Sequence, residues 1–488
     1  MSEKDHWTRR GLLKGIGSIA GAAALGGPLE AGEGPDEAAG QSPPPRGAPS
    51  LARALEDLVA RTPIVDTHEH LPDEDERLRG QRIACDDWAV LLSHYIDSDL
   101  VSAGLPEDSR RRLLSRDTDP LEKWRLVAPW WPAARNTGYG RVVRIALRDL
   151  YGVDDLSEAT VPRIQKAYED TRKPGFYRRI LVERANIESC QVNYLWRPFG
   201  ESQDPLLLMQ DLSIKGMHMG PDIGAYAGPA KKEVKDLADW HAVIAWWFDT
   251  YGPYAVAVKS QAAYARGLDF EKVPPERAEP VFRKVLAKDL VGPEERKLLE
   301  DHLFWHCVGK ATEHGLPVKL HAGYYAGAND MPLGRLAANP AQASDLCRRS
   351  PATTFVFMHI AYPYWQELVA VAKHYTNACI DMCWAWIVDP QAAKGFLKSF
   401  LAAAPSSKVL TFGGDYIPVE CVLGHARIAR QGIARALLEL VEEGTLEAKD
   451  AMDLVEPLLR GNGHRIFRIN EKAERLRKAP WARSEAKF

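Results

Sequence analysis

Ile64-Val65-Asp66-Thr67-His68-Glu69-His70-Leu71 is the stretch whose reading decides the fold. Its β-branched start favours a strand. Side chains two apart on a strand point to the same face, so His68 and His70 can grip one cation together. Two histidines side by side on a solvated strand would give the same local pattern, and only matching residues elsewhere separate the two readings.

Such residues recur downstream. Short apolar runs at 187–194, 212–219, 255–259, 316–321, 353–359, 378–381 and 408–415 alternate with helical stretches. With the first run they make eight strands. Strand then helix, repeated, implies parallel strands with crossovers, so the sequence predicts an α/β fold, a closed (β/α)8 TIM barrel over 51–470. A helix at 51–60 feeds the first strand. Apolar stripes mark helices at 240–248, 366–375, 392–403 and 424–443. Between 73 and 184 the pattern changes to long amphipathic stretches with Trp124, Trp130, Trp131 and Tyr139, which reads as a helical insertion after strand 1, placed over the barrel mouth to supply a substrate pocket. The tryptophans are read as the core of that insertion and His94 as structural.

Composition narrows the function. The 488 residues carry a net charge of −3 with both signs dispersed, which gives no electrostatic footprint for nucleic acid. Seven scattered cysteines make neither a disulfide scaffold nor a zinc cluster. At the N-terminus, Arg9-Arg10 precedes a short Gly- and Ala-rich apolar run, too short for a stable transmembrane span. It resembles a twin-arginine export signal and predicts an exported, periplasmic or extracytoplasmic protein. The signal and a Gly/Pro-rich linker occupy 1–50, and 471–488 reads as a charged C-terminal tail. Homo-oligomerisation is left open.

Barrel enzymes build their sites at the C-terminal ends of the strands. There the sequence places His68, His70, Lys259, His321, His359 and Asp415, five of them types that bind or position a divalent cation. No G-x-S-x-G elbow and no G-x-G-x-x-G opening a helix after a strand offers competing chemistry.

With the segments Asp66-Thr67-His68-Glu69-His70-Leu71, Val258 through Leu268, Leu316 through Tyr324, Met358 through Tyr364 and Gly413-Gly414-Asp415, the chain resembles the amidohydrolase superfamily of metal-dependent barrels. More narrowly it resembles the branch holding uronate isomerase and the amidohydrolase domains fused to glutamine-synthetase-like domains. The resemblance implies a mononuclear divalent site, zinc first and manganese or iron as alternatives, held by His68, His70, His321 and Asp415. In some relatives the strand-five histidine contacts substrate instead. It further implies a metal-bound water, with Asp415 as general base and His359 as the group that polarises or orients the substrate. Lys259 is a substrate-binding residue, or in two-metal members a carboxylated bridge. Tyr264, Arg266 and Tyr324 are pocket candidates, Arg266 suiting a carboxylate-bearing substrate. The implied reaction is hydrolysis of a C–N or related bond in a small polar substrate. Decarboxylation or uronate isomerisation on the same barrel are the alternatives, and a barrel that only binds is a third.

Overall fold

The computed structural model describes residues 50–482; the stretch up to residue 49, read above as an export signal and linker, and the last six residues lie outside them. Helix Leu51–Arg61 is capped by Ser50, whose hydroxyl accepts from the Arg53 amide, and it ends at Thr62-Pro63, where the ring of Pro63 forces extended backbone. β1 (Ile64–Glu69) follows at once.

Eight short strands then run parallel in chain order. β2 is Ile187–Val192, and β3 is two pieces, Leu208–Gln210 and Leu212–Ser213, on either side of Asp211. β4 is Val258–Ser260, β5 Val318–Leu320, β6 Phe355–Phe357, β7 Ala378–Asp381 and β8 Val409–Leu410. Each pairs in parallel register with its neighbour. Around the ring, backbone bonds from Thr67 N to Phe412 O and from His70 N to Tyr416 O, both 3.0 Å, join the end of β8 to β1. Almost every strand residue is buried, as a sheet covered on both faces requires.

The strand expected at 212–219 begins earlier instead. Its apolar run starts at Leu206-Leu207-Leu208, and the chain turns into helix Lys215–His218. Helices at Leu237–Tyr251, Trp365–His374, Pro390–Ala403 and Val419–Glu442 fall on the predicted ones, Trp365–His374 shifted by one residue and the others starting earlier. No helix among the described residues is long and apolar enough to cross a membrane.

Between β1 and β2 the chain forms the helical insertion, from Glu74–Leu78 to the π-helical Arg178–Arg184. The insertion is pinned to the last long helix by a fully buried ion pair, Arg77 to Glu420 at 2.6 Å. Helix Gly138–Tyr151 also packs so closely there that a Cβ on Gly424 would lie 2.5 Å from the Val142 carbonyl. Trp131 is buried in it, as expected, while Tyr139 turns toward a cavity.

At the opposite end, Val65, Met209, Val256, Val356, Cys379 and Leu410 form a small core with Ile466, Phe467, Ile469 and Leu476. That cluster plugs the bottom of the barrel. Of the stretch read as a charged tail, residues 471–476 therefore belong to a docked helix, Ile469–Leu476, with Leu476 and Lys472 buried.

Candidate metal centre

β1 delivers His68 and His70 to the rim with their rings edge to face, centroids 4.8 Å apart. The outer partner of His70 sets its tautomer. The Nδ1 of His70 donates to the Asn193 carbonyl at 2.6 Å, which leaves Nε2 bare toward the centre. Behind His68, the Asp211 carboxylate lies 3.8 Å from Nδ1 and is itself held by Lys319 at 2.9 Å. Burial depresses the pKa of His68 to about 4, so its imidazole is neutral at pH 7.

Asp415 comes from the other edge of the ring. It is in the left-handed region at φ 60°, on the turn after β8, with its amide donating to the His68 carbonyl at 2.8 Å and its carbonyl accepting the Tyr95 hydroxyl at 2.6 Å. A glycine is required just before it, because a Cβ on Gly414 would fall 1.8 Å from Glu69 Oε1. The turn puts Asp415 Oδ1 3.3 Å from His68 Nε2 and 3.2 Å from His70 Nε2. Burial raises this carboxyl, and positive charge at the two Nε2 positions, carried as protons on the imidazoles or as a cation between them, lowers it well below the usual carboxylate range.

These distances test whether a cation fits. The bare nitrogen of His70 faces a carboxylate oxygen, two lone pairs at hydrogen-bond distance, and such a contact is repulsive until positive charge lies between them. Two imidazole nitrogens and a carboxylate, buried and carrying outer partners, form a donor set that suits zinc and also manganese or iron.

His359 is the next imidazole. It opens a run of three left-handed residues, with Ile360 and Ala361, after β6. Its Nδ1 donates to the Cys383 carbonyl at 3.0 Å and lies 3.9 Å from Asp415 Oδ2. Together His359, Cys383 and Asp415 offer a second set of converging donor atoms, although burial raises the Cys383 thiol well above its ordinary range.

His321 stands apart from the cluster of His68, His70 and Asp415 that the sequence grouped it with. Its Nε2 donates to the Tyr324 carbonyl at 2.8 Å and its ring lies against His359 and Tyr264, centroids 4.3 and 4.5 Å away. Lys259 is buried beneath the centre, its Nζ against the Met358 sulfur, and burial lowers its pKa to about 8. Tyr264 accepts the Ala326 amide at 3.2 Å and so braces the loop after β5.

Arg266 leaves the pocket altogether. Its guanidinium is held by Asp301 at 2.5 Å and Glu300 at 3.2 Å, both on helix Pro293–Glu313, and it covers the Phe270 ring. The sequence showed a cation near the rim and could not show which way it pointed.

Four contributors escaped the sequence reading. Tyr95 stacks between His94 and Trp384 while holding Asp415. His94 is placed 6.0 Å, ring to ring, from His70. Lys319 and Asp211 sit inside the barrel; the one acid interrupting the apolar run 206–214 was the available signal for Asp211. Beside the centre lies a cavity of about 330 Å³ lined by Tyr95, Asp99, Tyr139, Tyr324 and the loop 325–331. A larger groove, about 820 Å³, shares no residue with this cavity and reaches the candidate site residues only at Tyr264.

Comparison with known proteins agrees with this geometry. Residues 288–469, which carry β5 to β8 and the closing helices, match the family model described as Amidohydrolase. Over that stretch the chain is similar to the amidohydrolases. Over 232 residues the chain is 27% identical to protein fluG of Emericella nidulans, across 45% of the chain and 26% of that protein, so it spans about a quarter of that relative's length. In fold it is similar to the uronate isomerase of Thermotoga maritima, at TM-score 0.69 and 14% identity over 86% of this chain and 97% of that one. Glucuronate isomerase of Caulobacter crescentus is similar too, at TM-score 0.69 and 18% identity over 89% and 96%.

Proposed function

We propose that this chain is a hydrolase that uses a divalent cation, zinc first, to activate water and cleave a C–N or related bond in a small polar substrate. The observation that carries the reading is the approach of His68 Nε2 and His70 Nε2 to one oxygen of Asp415, with the His70 tautomer locked so that its lone pair faces inward. His68, His70 and Asp415 would hold the ion, which when bound supplies the Lewis acidity that brings the ionisation of water toward neutrality.

The protein groups divide the remaining work. Asp415, ionised at neutral pH, accepts the proton of the attacking water and returns it to the leaving nitrogen. His359, whose Nδ1–H is tied to the Cys383 carbonyl, presents its other nitrogen to orient the substrate. Lys259 offers the ammonium nearest the centre and balances negative charge growing on the substrate oxygen. Isomerisation of a uronate would use the same ligands. Likeness to the isomerases rests on the fold, and Arg266, the cation suited to a sugar acid, is tied to carboxylates of its own.

Metal analysis of the purified chain, with a panel of amides, uronates and aromatic carboxylates, tests this. His68→Ala and Asp415→Asn are expected to lower kcat/KM on the hydrolysed substrate by about 10³ or more with the circular dichroism spectrum retained. Full turnover by metal-stripped protein, or aldose–ketose conversion without hydrolysis, would overturn it.

A further inference from the structure

The cavity beside the centre has a charge pattern that the metal chemistry does not account for. Asp99 projects into it from helix Ile96–Ala103, and Asp330 stands at its rim. No lysine or arginine lines it. On the same helix, Asp97 is already answered by Arg110 at 3.0 Å. Among the described residues, Asp99 has no ion-pair partner of its own, and it feels Asp97 as a like charge. The rest of the wall is uncharged, phenols and hydroxyls together with Asn329 and the small and apolar residues of the loop after β5, with Tyr139 and Tyr324 flanking the carboxylate.

This cavity is one layer from the chemistry. Tyr95, which lines it, donates to the Asp415 carbonyl, and Tyr324, which also lines it, accepts from His321. Tyr95 and Tyr324 are thus shared by the cavity wall and the hydrogen bonds around the candidate ligands.

We propose that the cavity takes a protonated amine, so that the substrate is an amide carrying an ammonium group and not the carboxylate-bearing molecule that the sequence suggested. The proposal rests on the hydrolase reading for its use, and on the cavity alone for its sign. A half-buried carboxylate without a cation gains a charge-assisted hydrogen bond from an ammonium, and the aromatic walls suit its alkyl or aryl stem. An anionic group in the same place would meet Asp99 and Asp330.

Three probes of one shape and different charge decide it: benzylammonium, benzyl alcohol and benzoate, titrated by calorimetry into the full chain as purified. Benzylammonium is expected to bind about tenfold or more tighter than benzyl alcohol, with benzoate weakest. Asp99→Asn should erase the difference between the first two while metal content stays unchanged. The wild-type charge series stands even if that variant folds poorly. Benzoate binding as tightly as benzylammonium, or an ammonium preference that survives Asp99→Asn in a folded variant, overturns the proposal. Amide turnover, measured separately, keeps the two readings apart. Hydrolysis without the ammonium preference removes this inference alone, and the preference without hydrolysis removes the hydrolase reading alone.

Discussion

Arg266 shows how a side chain's direction decides its role. Its partners Glu300 and Asp301 are nearly inaccessible to solvent, so removing the guanidinium strands two carboxylates. Arg266→Ala is expected to cost about 3 kcal/mol or more of stability, seen as a lower Tm, while KM at the folded enzyme changes little. A large rise in KM with unchanged Tm would return Arg266 to the pocket. Gly414 gives the opposite case, where a single methyl acts on the chemistry. Gly414→Ala must push Glu69 or the turn away, which moves Asp415 off the two imidazoles. Metal content and turnover are expected to fall together in a chain whose helical signal is intact. Residue identities at the rim were legible because each closes an apolar run. Direction was not, since Arg266 and Lys259 read alike in a sequence, and only packing sends one outward and buries the other.

At the scale of elements, alternation of apolar runs and helical stretches identified all eight strands, yet most prove to be two to four residues long. Their apolar runs continue past the ladder into turns at His359 and Asp415, and a positive φ leaves no mark on composition when the residue is not glycine. Helices Pro390–Ala403 and Val419–Glu442 are laced by Lys394 and Lys398 onto Glu439, at 2.8 and 3.0 Å, with Arg435 beside them. The Lys394 hydrogen bond, with those of Lys398 and Arg435, holds the Glu439 carboxyl down to about 2. A depressed carboxyl stabilises the fold above its unfolded pKa of about 4.3, and that contribution is lost as pH falls from there toward 2. Lying between two helices at the surface, where solvent screens it, the network adds about 1 kcal/mol or less. Glu439→Gln should lower Tm by about 1 °C at pH 7 and leave it unchanged near pH 2, read from paired thermal melts.

On the scale of the whole molecule, the barrel's interior is held by charge as well as by packing. Lys319 Nζ reaches the Thr67 carbonyl at 2.7 Å, Gln191 Oε1 at 2.6 Å and both oxygens of Asp211, so β1, β2, β3 and β5 converge on one ammonium. Lys319→Met leaves Asp211 buried and unpaired and is expected to cost about 3–5 kcal/mol. The double variant Lys319→Met with Asp211→Leu should recover much of the loss in a chemical denaturation series, though His68 then lacks its rear partner and metal affinity should fall about tenfold or more. Equal destabilisation in single and double variants would show that the ammonium is not there for Asp211. Neither this knot nor the bottom plug was legible beforehand. A lysine inside a strand reads as a surface residue, and the charges of 471–476 hid the apolar face that docks.

The Tyr95 hydroxyl on the Asp415 carbonyl is one bond between two separately encoded territories. Everything that would carry out bond breaking comes from strand ends, whereas the amine-seeking wall is drawn from the inserted helices and the loop after β5. Lineages of this scaffold could therefore retool what they accept by rewriting the inserted segment, with Tyr95 as the hinge pin that any replacement must reproduce.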